Sequence, residues 1–245
     1  MSGATLFLSD LHLAAERPLA AQAFYRFLEG PAAHAEAVYV LGDLFEYWAG
    51  DDDLDDAFNA QVAHRIARLA RTVPVHVMQG NRDFLLARRF ARSAAVLPLR
   101  DPAVIDLYGT RTLLMHGDLL CTQDRRYQAF RRVVRNRLVQ GLFMRLPLTR
   151  RKRIIGGARR LSEGEKTIKR MDIMDVAPAA VEEAFRRHGC TRMIHGHTHR
   201  PARHEHRVEG RVCERIVLAD WYAHGQYLRV TREGCVSVPL PFGTD

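Results

Sequence analysis

Five short β-forming runs in this chain each stop at a small cluster of Asp, Asn or His, and that repetition narrows the possible folds more than any bulk property. Val38-Tyr39-Val40-Leu41 runs straight into Gly42-Asp43. Leu6-Phe7-Leu8-Ser9 ends in Asp10-Leu11-His12, and Val75-His76-Val77-Met78 leads to Gly80-Asn81-Arg82-Asp83. Thr112-Leu113-Leu114-Met115 ends in His116-Gly117-Asp118, and Arg192-Met193-Ile194 in His195-Gly196-His197-Thr198-His199. Runs this rich in aliphatic and β-branched residues, closed by turn-forming residues, read as buried strands. In open α/β sheets ligands gather outside the carboxyl ends of strands, so five such ends imply one shared site.

Between these runs the apolar spacing becomes helical. Ala20, Phe24, Phe27 and Leu28 make one face of a helix over 18–29, and Phe58, Val62, Ile66 and Leu69 one face of a helix running to Arg71. A short helix is expected over 84–91, and another over 178–188 that Gly189 should close. Residues 103–108 and 111–115 suit a hairpin through Gly109-Thr110, with extended stretches at 215–219 and 227–240. Alternating strands and helices place the chain in the α/β class. Its length suits one domain over 1–245, with a helical insertion at about 125–170. The acid run Asp51-Asp52-Asp53-Leu54-Asp55-Asp56 reads either as a second cation site or, preferably, as a solvated helix start that suits the helix dipole.

Charge is concentrated in the insertion. The formal net charge is +9, yet residues 125–170 alone hold sixteen Lys or Arg against only Glu163 and Glu165. One basic segment points to an anionic partner: nucleic acid, a membrane surface or a phosphorylated substrate. Leu138, Val139, Leu142, Phe143, Met144, Leu146 and Leu148 lie there among Arg135, Arg137, Arg145 and Arg150-Arg151-Lys152-Arg153. That mixture suits an element touching anionic lipid headgroups, or a lid with a greasy inner face, ahead of an ordinary core-packed helix. Only Tyr127, Phe130 and Phe143 could stack on bases, which disfavours nucleic acid. No signal-peptide pattern opens the chain, and no apolar run nears the ~18 residues of a spanning helix. Cys121, Cys190, Cys213 and Cys235 are scattered, so reduced thiols in a cytoplasmic protein are expected.

Asp10, His12, Asp43, Asn81, His116, His197 and His199 form a set of nitrogen and oxygen ligands. A lone histidine at a strand end is more often structural; the joint pattern carries the argument. Asp-x-His puts both side chains on one side of an extended segment, and His197-x-His199 repeats this after a glycine that permits a sharp turn. Without thiolate the set points to Mn, Fe or Zn. Seven ligands exceed one tetrahedral ion and suit two ions that share a bridging carboxylate. By the same alternation His195 faces away and is expected to be structural. Asp118 is expected to accept a hydrogen bond from a ligating histidine.

The blocks Asp-x-His, Gly-Asp, Gly-Asn-x-Asp, His-Gly-Asp and Gly-His-x-His, in this order from position 10 to 199, resemble those of the calcineurin-like metallophosphoesterases. The resemblance implies a four-layer α/β/β/α sandwich and two divalent ions, manganese foremost. One ion would take Asp10, His12, Asp43 and His199, the other Asp43, Asn81, His116 and His197. Asp43 would bridge, and a water between the ions would be the nucleophile. Gly80-Asn81-Arg82-Asp83 departs from the Gly-Asn-His-Asp or Gly-Asn-His-Glu of the broader family, whose histidine can protonate a leaving alkoxide. A guanidinium cannot do so near neutral pH. It can pair with phosphate oxygens in bidentate fashion, which favours a phosphoanhydride, whose leaving phosphate needs no proton.

Longer stretches resemble the UDP-2,3-diacylglucosamine hydrolase family. They are Leu41-Gly42-Asp43-Leu44-Phe45-Glu46-x-Trp48-x-Gly50-Asp51-Asp52-Asp53, Gly80-Asn81-Arg82-Asp83-Phe84-Leu85-Leu86, His116-Gly117-Asp118-x-Leu120-Cys121, Tyr127-Gln128-Ala129-Phe130 and His195-Gly196-His197-Thr198-His199-Arg200-Pro201. This resemblance implies water attack at the α-phosphorus, giving UMP and a diacylglucosamine 1-phosphate, a step of lipid A biosynthesis in Gram-negative bacteria. It implies a monomer peripheral to the cytoplasmic face of the inner membrane. Catalytic roles would fall to Asp43, Asn81, Arg82, His116 and His197, and substrate contacts to Asn81, Arg82, Asp124, Ser162, Lys166, Lys169 and His197. A nuclease of the same superfamily is the alternative. A phosphoprotein phosphatase fits Arg82 poorly, and a non-catalytic scaffold has no reason to keep the whole ligand set.

Overall fold

The computed structural model describes residues 3–168 and 175–243. Its first half alternates as expected: β1 (Thr5–Leu8), α1 (Pro18–Glu29), β2 (Ala37–Leu41), α2 (Ala57–Leu69), β3 (Val75–Met78), α3 (Arg88–Ser93) and β4 (Leu97–Leu99). The hairpin β5 (Ala103–Leu107) and β6 (Thr110–Met115) follows, then α4 (Arg125–Val134), α5 (Arg137–Phe143), α6 (Leu148–Ile168) and α7 (Pro178–His188). The chain closes with β7 (Arg192–His195), β8 (Ala202–Val208), β9 (Arg211–Val217), β10 (Gly225–Thr231) and β11 (Gly234–Leu240).

The strands form two sheets, ordered β11-β10-β1-β2-β3-β4 and β5-β6-β7-β9-β8. In the first, β1 to β4 run parallel; in the second, β6, β7 and β9 do. Strict alternation of side chains then builds the layers. Leu6 and Leu8 of β1 pack with Phe24, Phe27, Val62 and Ile66 of α1 and α2, while Phe7 between them turns to the other face. There it meets Leu114, Ile194 and Ile216 of the second sheet. Leu113 and Met193 of that sheet turn outward onto Val181 and Phe185 of α7. Helices on sheet on sheet on helix is the four-layer α/β/β/α sandwich. Each fully buried Leu, Ile or Phe contributes on the order of 1.5–3 kcal/mol, so the inner layer fixes how the two sheets face each other.

The helix ends follow their local chemistry. α1 and α7 both begin with proline, and Gly189 closes α7 in the left-handed conformation (φ 60°). Asp56 caps α2 by accepting from the amides of Phe58 and Asn59. The rest of the acid run is a short 3-10 helix, Asp51–Asp55, and is more than a solvated helix start. Asp51 accepts from Trp48 Nε1 at 3.1 Å and from the amides of Ala87, Arg89 and Phe90 at 3.0, 2.7 and 3.1 Å. Asp52 pairs with Arg151, and Asp53 Oδ1 lies 2.5 Å from Lys152 Nζ, so the run holds α6 against the sandwich.

Some expectations need correction. The helix over 84–91 starts only at Arg88, because the Asp51 carboxylate sets that helix start. The stretch 227–240 is a hairpin of two strands, and β9 begins at Arg211 rather than 215. β8 escaped notice because Ala-Arg-His-Glu-His-Arg-Val is an exposed edge strand without an apolar run. No helix among the described residues is long and apolar enough to cross a membrane.

Candidate active site

The loops that leave β1, β2, β3, β6 and β7 meet at one end of the sandwich. Backbone bonds continue past the sheet from Asp10 N to Gly42 O (3.1 Å), His12 N to Asp43 O (3.0 Å) and Gly196 N to His116 O (2.9 Å). The expected ligand set is thereby brought together. His12 Nε2 lies 3.5 Å from His199 Nε2 and 3.9 Å from Asp43 Oδ2. Asp10 Oδ1 lies 3.4 Å from His199 Nε2 and 4.0 Å from His12 Nε2. On the other side Asn81 Oδ1 lies 2.9 Å from His116 Nε2 and 3.0 Å from His197 Nδ1, with Asp43 Oδ1 3.9 Å from His116 Nε2. One oxygen of Asp43 faces each group. Asp10 also gathers with Asp43 and His116, their ligand atoms all within 4.8 Å of one another.

The donor set fits two cations. Asp10, Asp43 and Asp83 are at most 1% exposed, an arrangement that favours added positive charge. Burial pushes Asp43 up to about 7, with Asp83 and Asp10 adding to the shift against the pull of His116. Burial alone would lower His116; Asp43 and Asp10 outweigh it and raise that imidazole to about 9. Burial together with His116 pushes His197 down to about 3, and burial holds His12 well below its ordinary value. The neutral imidazoles of His12 and His197 keep the lone pair that a metal takes, whereas His116 would give up a proton to a bound cation. His116 Nδ1 lies 3.0 Å from the Leu41 carbonyl, which accepts its proton and leaves Nε2 directed at the site.

Backbone conformation is the feature the sequence hid. Asp10, His12, Asp43, His197 and His199 all have positive φ, between 50° and 71°, the left-handed region that non-glycine residues avoid. Glycines give the neighbouring chain room. A Cβ on Gly80 would meet Asp43 Oδ1 at 2.0 Å, and one on Gly196 would meet Asp10 Oδ2 at 2.1 Å. Asp83 braces two of these loops by accepting from the amides of Gly80 (2.7 Å), Leu44 (2.8 Å), Asp43 (3.3 Å) and Phe45 (3.4 Å).

The remaining site residues divide. Arg82 sits at the ion group, its amide 2.8 Å from Asp43 Oδ1 and its Nη1 3.7 Å from Glu46 Oε1. Asp124 caps α4, accepting from the Tyr127 amide at 3.0 Å. Ser162 and Lys166 fall on α6 with side chains outside those described, and Lys169 lies outside the described residues. His195 is fully buried behind the site, where burial pushes it down to about 4, consistent with a structural histidine. Asp118 is a correction: it accepts from Tyr127 Oη (2.6 Å) and Arg131 Nε (2.7 Å) rather than from a histidine. The residues missed in sequence are partners of ligands. Glu46 Oε2 lies 3.4 Å from His12 Nδ1, and Asp220 Oδ2 3.6 Å from His199 Nδ1. Tyr222 stacks on His12 with ring centroids 5.0 Å apart. Of these only Glu46 lay in a block already singled out, within an apolar aromatic loop that drew attention away from it.

A family model for calcineurin-like phosphoesterases matches residues 4–201. The chain belongs to that family. Among curated relatives of this phosphoesterase, the UDP-2,3-diacylglucosamine hydrolase of Aromatoleum aromaticum is 52% identical over 239 residues, covering 97% of each chain. That of Aeromonas hydrophila is 50% identical, covering 91% of this chain and 93% of its own. That of Serratia proteamaculans is 44% identical, covering 97% and 99%. The phosphoesterase family and the Asp and His groups described above agree on a dimetal site.

Proposed function

We propose that this phosphoesterase hydrolyses UDP-2,3-diacylglucosamine at the α-phosphorus, releasing UMP and 2,3-diacylglucosamine 1-phosphate in lipid A biosynthesis. The observation that carries the reading is 50–52% identity over nearly the full length to hydrolases of that name, with Arg82 in the block beside Asp43. Two ions, manganese by preference, would be held by Asp10, His12, Asp43 and His199 and by Asp43, Asn81, His116 and His197. When bound they supply an acidified water and offset phosphate charge. The protein's own contribution is orientation. The Leu41 carbonyl fixes His116, the Glu46 carboxylate lies 3.4 Å from His12 Nδ1, and Asp83 fixes the loops of Asp43 and Asn81.

Arg82, with its Nη1 3.7 Å from Glu46 Oε1, pairs with the phosphate oxygens as charge builds in the transition state. Water oxygen bonds to the α-phosphorus and the bridging oxygen leaves with the sugar phosphate. That leaving group is already stable as an anion, so no side chain must protonate it. Asn81, His197, Asp124, Ser162, Lys166 and Lys169 complete the substrate contacts. A monomer meets the membrane through the insertion at 125–170. Its support is α5, where Leu138 is 85% and Leu142 68% exposed between Arg137 and Arg145.

The test is UMP release from UDP-2,3-diacylglucosamine in detergent micelles, after chelation and with manganese restored. Bis-p-nitrophenyl phosphate and single-stranded DNA run alongside. Metal-dependent UMP release with little action on the other two is expected. DNA cleavage without UMP release would assign the basic insertion to nucleic acid instead.

A further inference from the structure

We propose that Arg215 is a positioning residue for the ion site, acting through His195 on the Gly196–His197 peptide. Arg215, on β9, is 6% exposed, yet its guanidinium acceptors among the described residues are two imidazoles rather than a carboxylate. Its Nη1 lies 3.2 Å from His195 Nε2, and its Nε donates to His206 Nε2 at 3.3 Å. A guanidinium can only donate, so His195 Nε2 must accept and the imidazole proton sits on Nδ1. Nδ1 lies 2.8 Å from the Gly196 carbonyl, to which it therefore donates.

The peptide that begins with that carbonyl ends in the amide of His197, which donates to Asp10 Oδ2 at 2.8 Å. One peptide plane is thus gripped at both ends, by His195 and the Thr198 amide (2.9 Å) at its oxygen and by Asp10 at its N–H. The chain of donors runs from a fixed positive charge to a candidate ligand carboxylate, and each step polarises the next. It also crosses to the neighbouring loop: a Cβ on Gly117 would lie 2.8 Å from His195 Nδ1 and 2.8 Å from Gly196 O. The His195 ring is therefore wedged beneath the loops that carry His116 and His197. His197 has φ 71°, and such a conformation persists only where its surroundings over-determine it.

Filling space does not explain a buried arginine here. If packing were its task, a methionine of similar length would be neutral or stabilising, because burial of the guanidinium carries a desolvation cost that the field of Asp175 offsets only in part. The inference rests on the dimetal reading of the site but not on the identity of the substrate. The test is Arg215→Met in the full-length protein, with Co2+ titrated into the chelated sample and followed by its visible absorption and by calorimetry. The expected result is an affinity weakened about 10- to 100-fold and an altered spectrum, with the melting temperature of the chelated protein unchanged or raised.

A paired comparison at His195 separates positioning from bulk. His195→Asn keeps a donor near the Nδ1 position and should bind Co2+ within about threefold of wild type, whereas His195→Leu should follow Arg215→Met. If Arg215→Met does not fold, the His195 pair decides alone. Wild-type affinity and spectrum in Arg215→Met, or equal affinity in the two His195 variants, would overturn the proposal. Failure of the wild type to take up two ions would instead overturn the dimetal reading.

Discussion

Replacing Asp83 by asparagine is the sharpest test of how the site is held. Asp83 is fully buried, and its two oxygens each serve two amides: Oδ1 those of Gly80 and Asp43, Oδ2 those of Leu44 and Phe45. Asparagine keeps one oxygen and presents an NH2 group where the other stood. If Oδ2 becomes the amide nitrogen, the 2.8 Å bond from Leu44 is lost and two buried donors face another donor. A bond to a charged group is worth about 1.5–3 kcal/mol, and each stranded buried donor costs about 1–3 more. Against this, removing the charge relieves repulsion that helps push Asp43 up to about 7. The balance is a net loss of about 3 kcal/mol, or roughly 6–12 °C in Tm for a chain of this size. Bound cations would already neutralise that repulsion, so the loss should be larger with manganese than in the chelated protein. Thermal unfolding by circular dichroism in both states measures it. A fall under about 2 °C in the metal-loaded protein would refute the idea that this carboxylate ties the loops together.

Asp43→Ala should remove both ions and turnover, and metal analysis after reloading would contradict the bridging role if two equivalents remained. Arg82→Ala should retain the metal but lower kcat/KM for the nucleotide lipid about 10²–10³-fold, well beyond its effect on bis-p-nitrophenyl phosphate. Equal losses would make Arg82 structural. Arg151→Met removes a side chain 2% exposed that donates to Leu146 O at 2.9 Å and to the carbonyl of Ala49 while pairing with Asp52. The expected cost is about 2 kcal/mol, since Asp52 can return to water, with faster limited proteolysis between α4 and α6. An unchanged digestion pattern would dismiss Arg151 as the tie between insertion and core. Leu138→Asp combined with Leu142→Asp should weaken binding to anionic vesicles at least about tenfold in a sedimentation assay, and unaltered binding would place the membrane contact elsewhere.

What the sequence made legible and what it concealed divide along a physical line. Strands announce themselves because a ribbon buried on both faces needs an unbroken apolar run, as Leu6, Phe7 and Leu8 illustrate by splitting between two cores. Ligands at strand ends follow from that, since no long-range information is needed to say that Asp10 or Asp43 leaves the sheet at its carboxyl edge. The conformations that aim those ligands are set by distant groups. Trp221 N bonds Asp10 O at 3.0 Å, and Arg17 ties the Leu11 and His12 carbonyls to that of Trp221. Asp118 shows the cost of reading proximity from sequence alone. It follows His116 by two residues, yet Tyr127 and Arg131 on the next helix claim it.

The supporting charges, three of them inside the blocks quoted above, share a role outside the ligand set. Asp83 answers amides, Glu46 sets its charge 3.4 Å from His12, Asp118 answers Tyr127 and Arg131, and Arg215 answers His195. Each lies outside the seven candidate ligands, and each restrains a loop whose ligand has no freedom to relax because its backbone is already in the left-handed region or beside a glycine that admits no side chain. Strain at five ligand positions costs on the order of 1–3 kcal/mol apiece, comparable with the hydrogen bonds that offset it. The braces and the strain must therefore go together. A variant that removes a brace should let the loop fall back to negative φ, withdrawing a ligand that is itself unmutated, so a complete motif is necessary for the ion site without being sufficient.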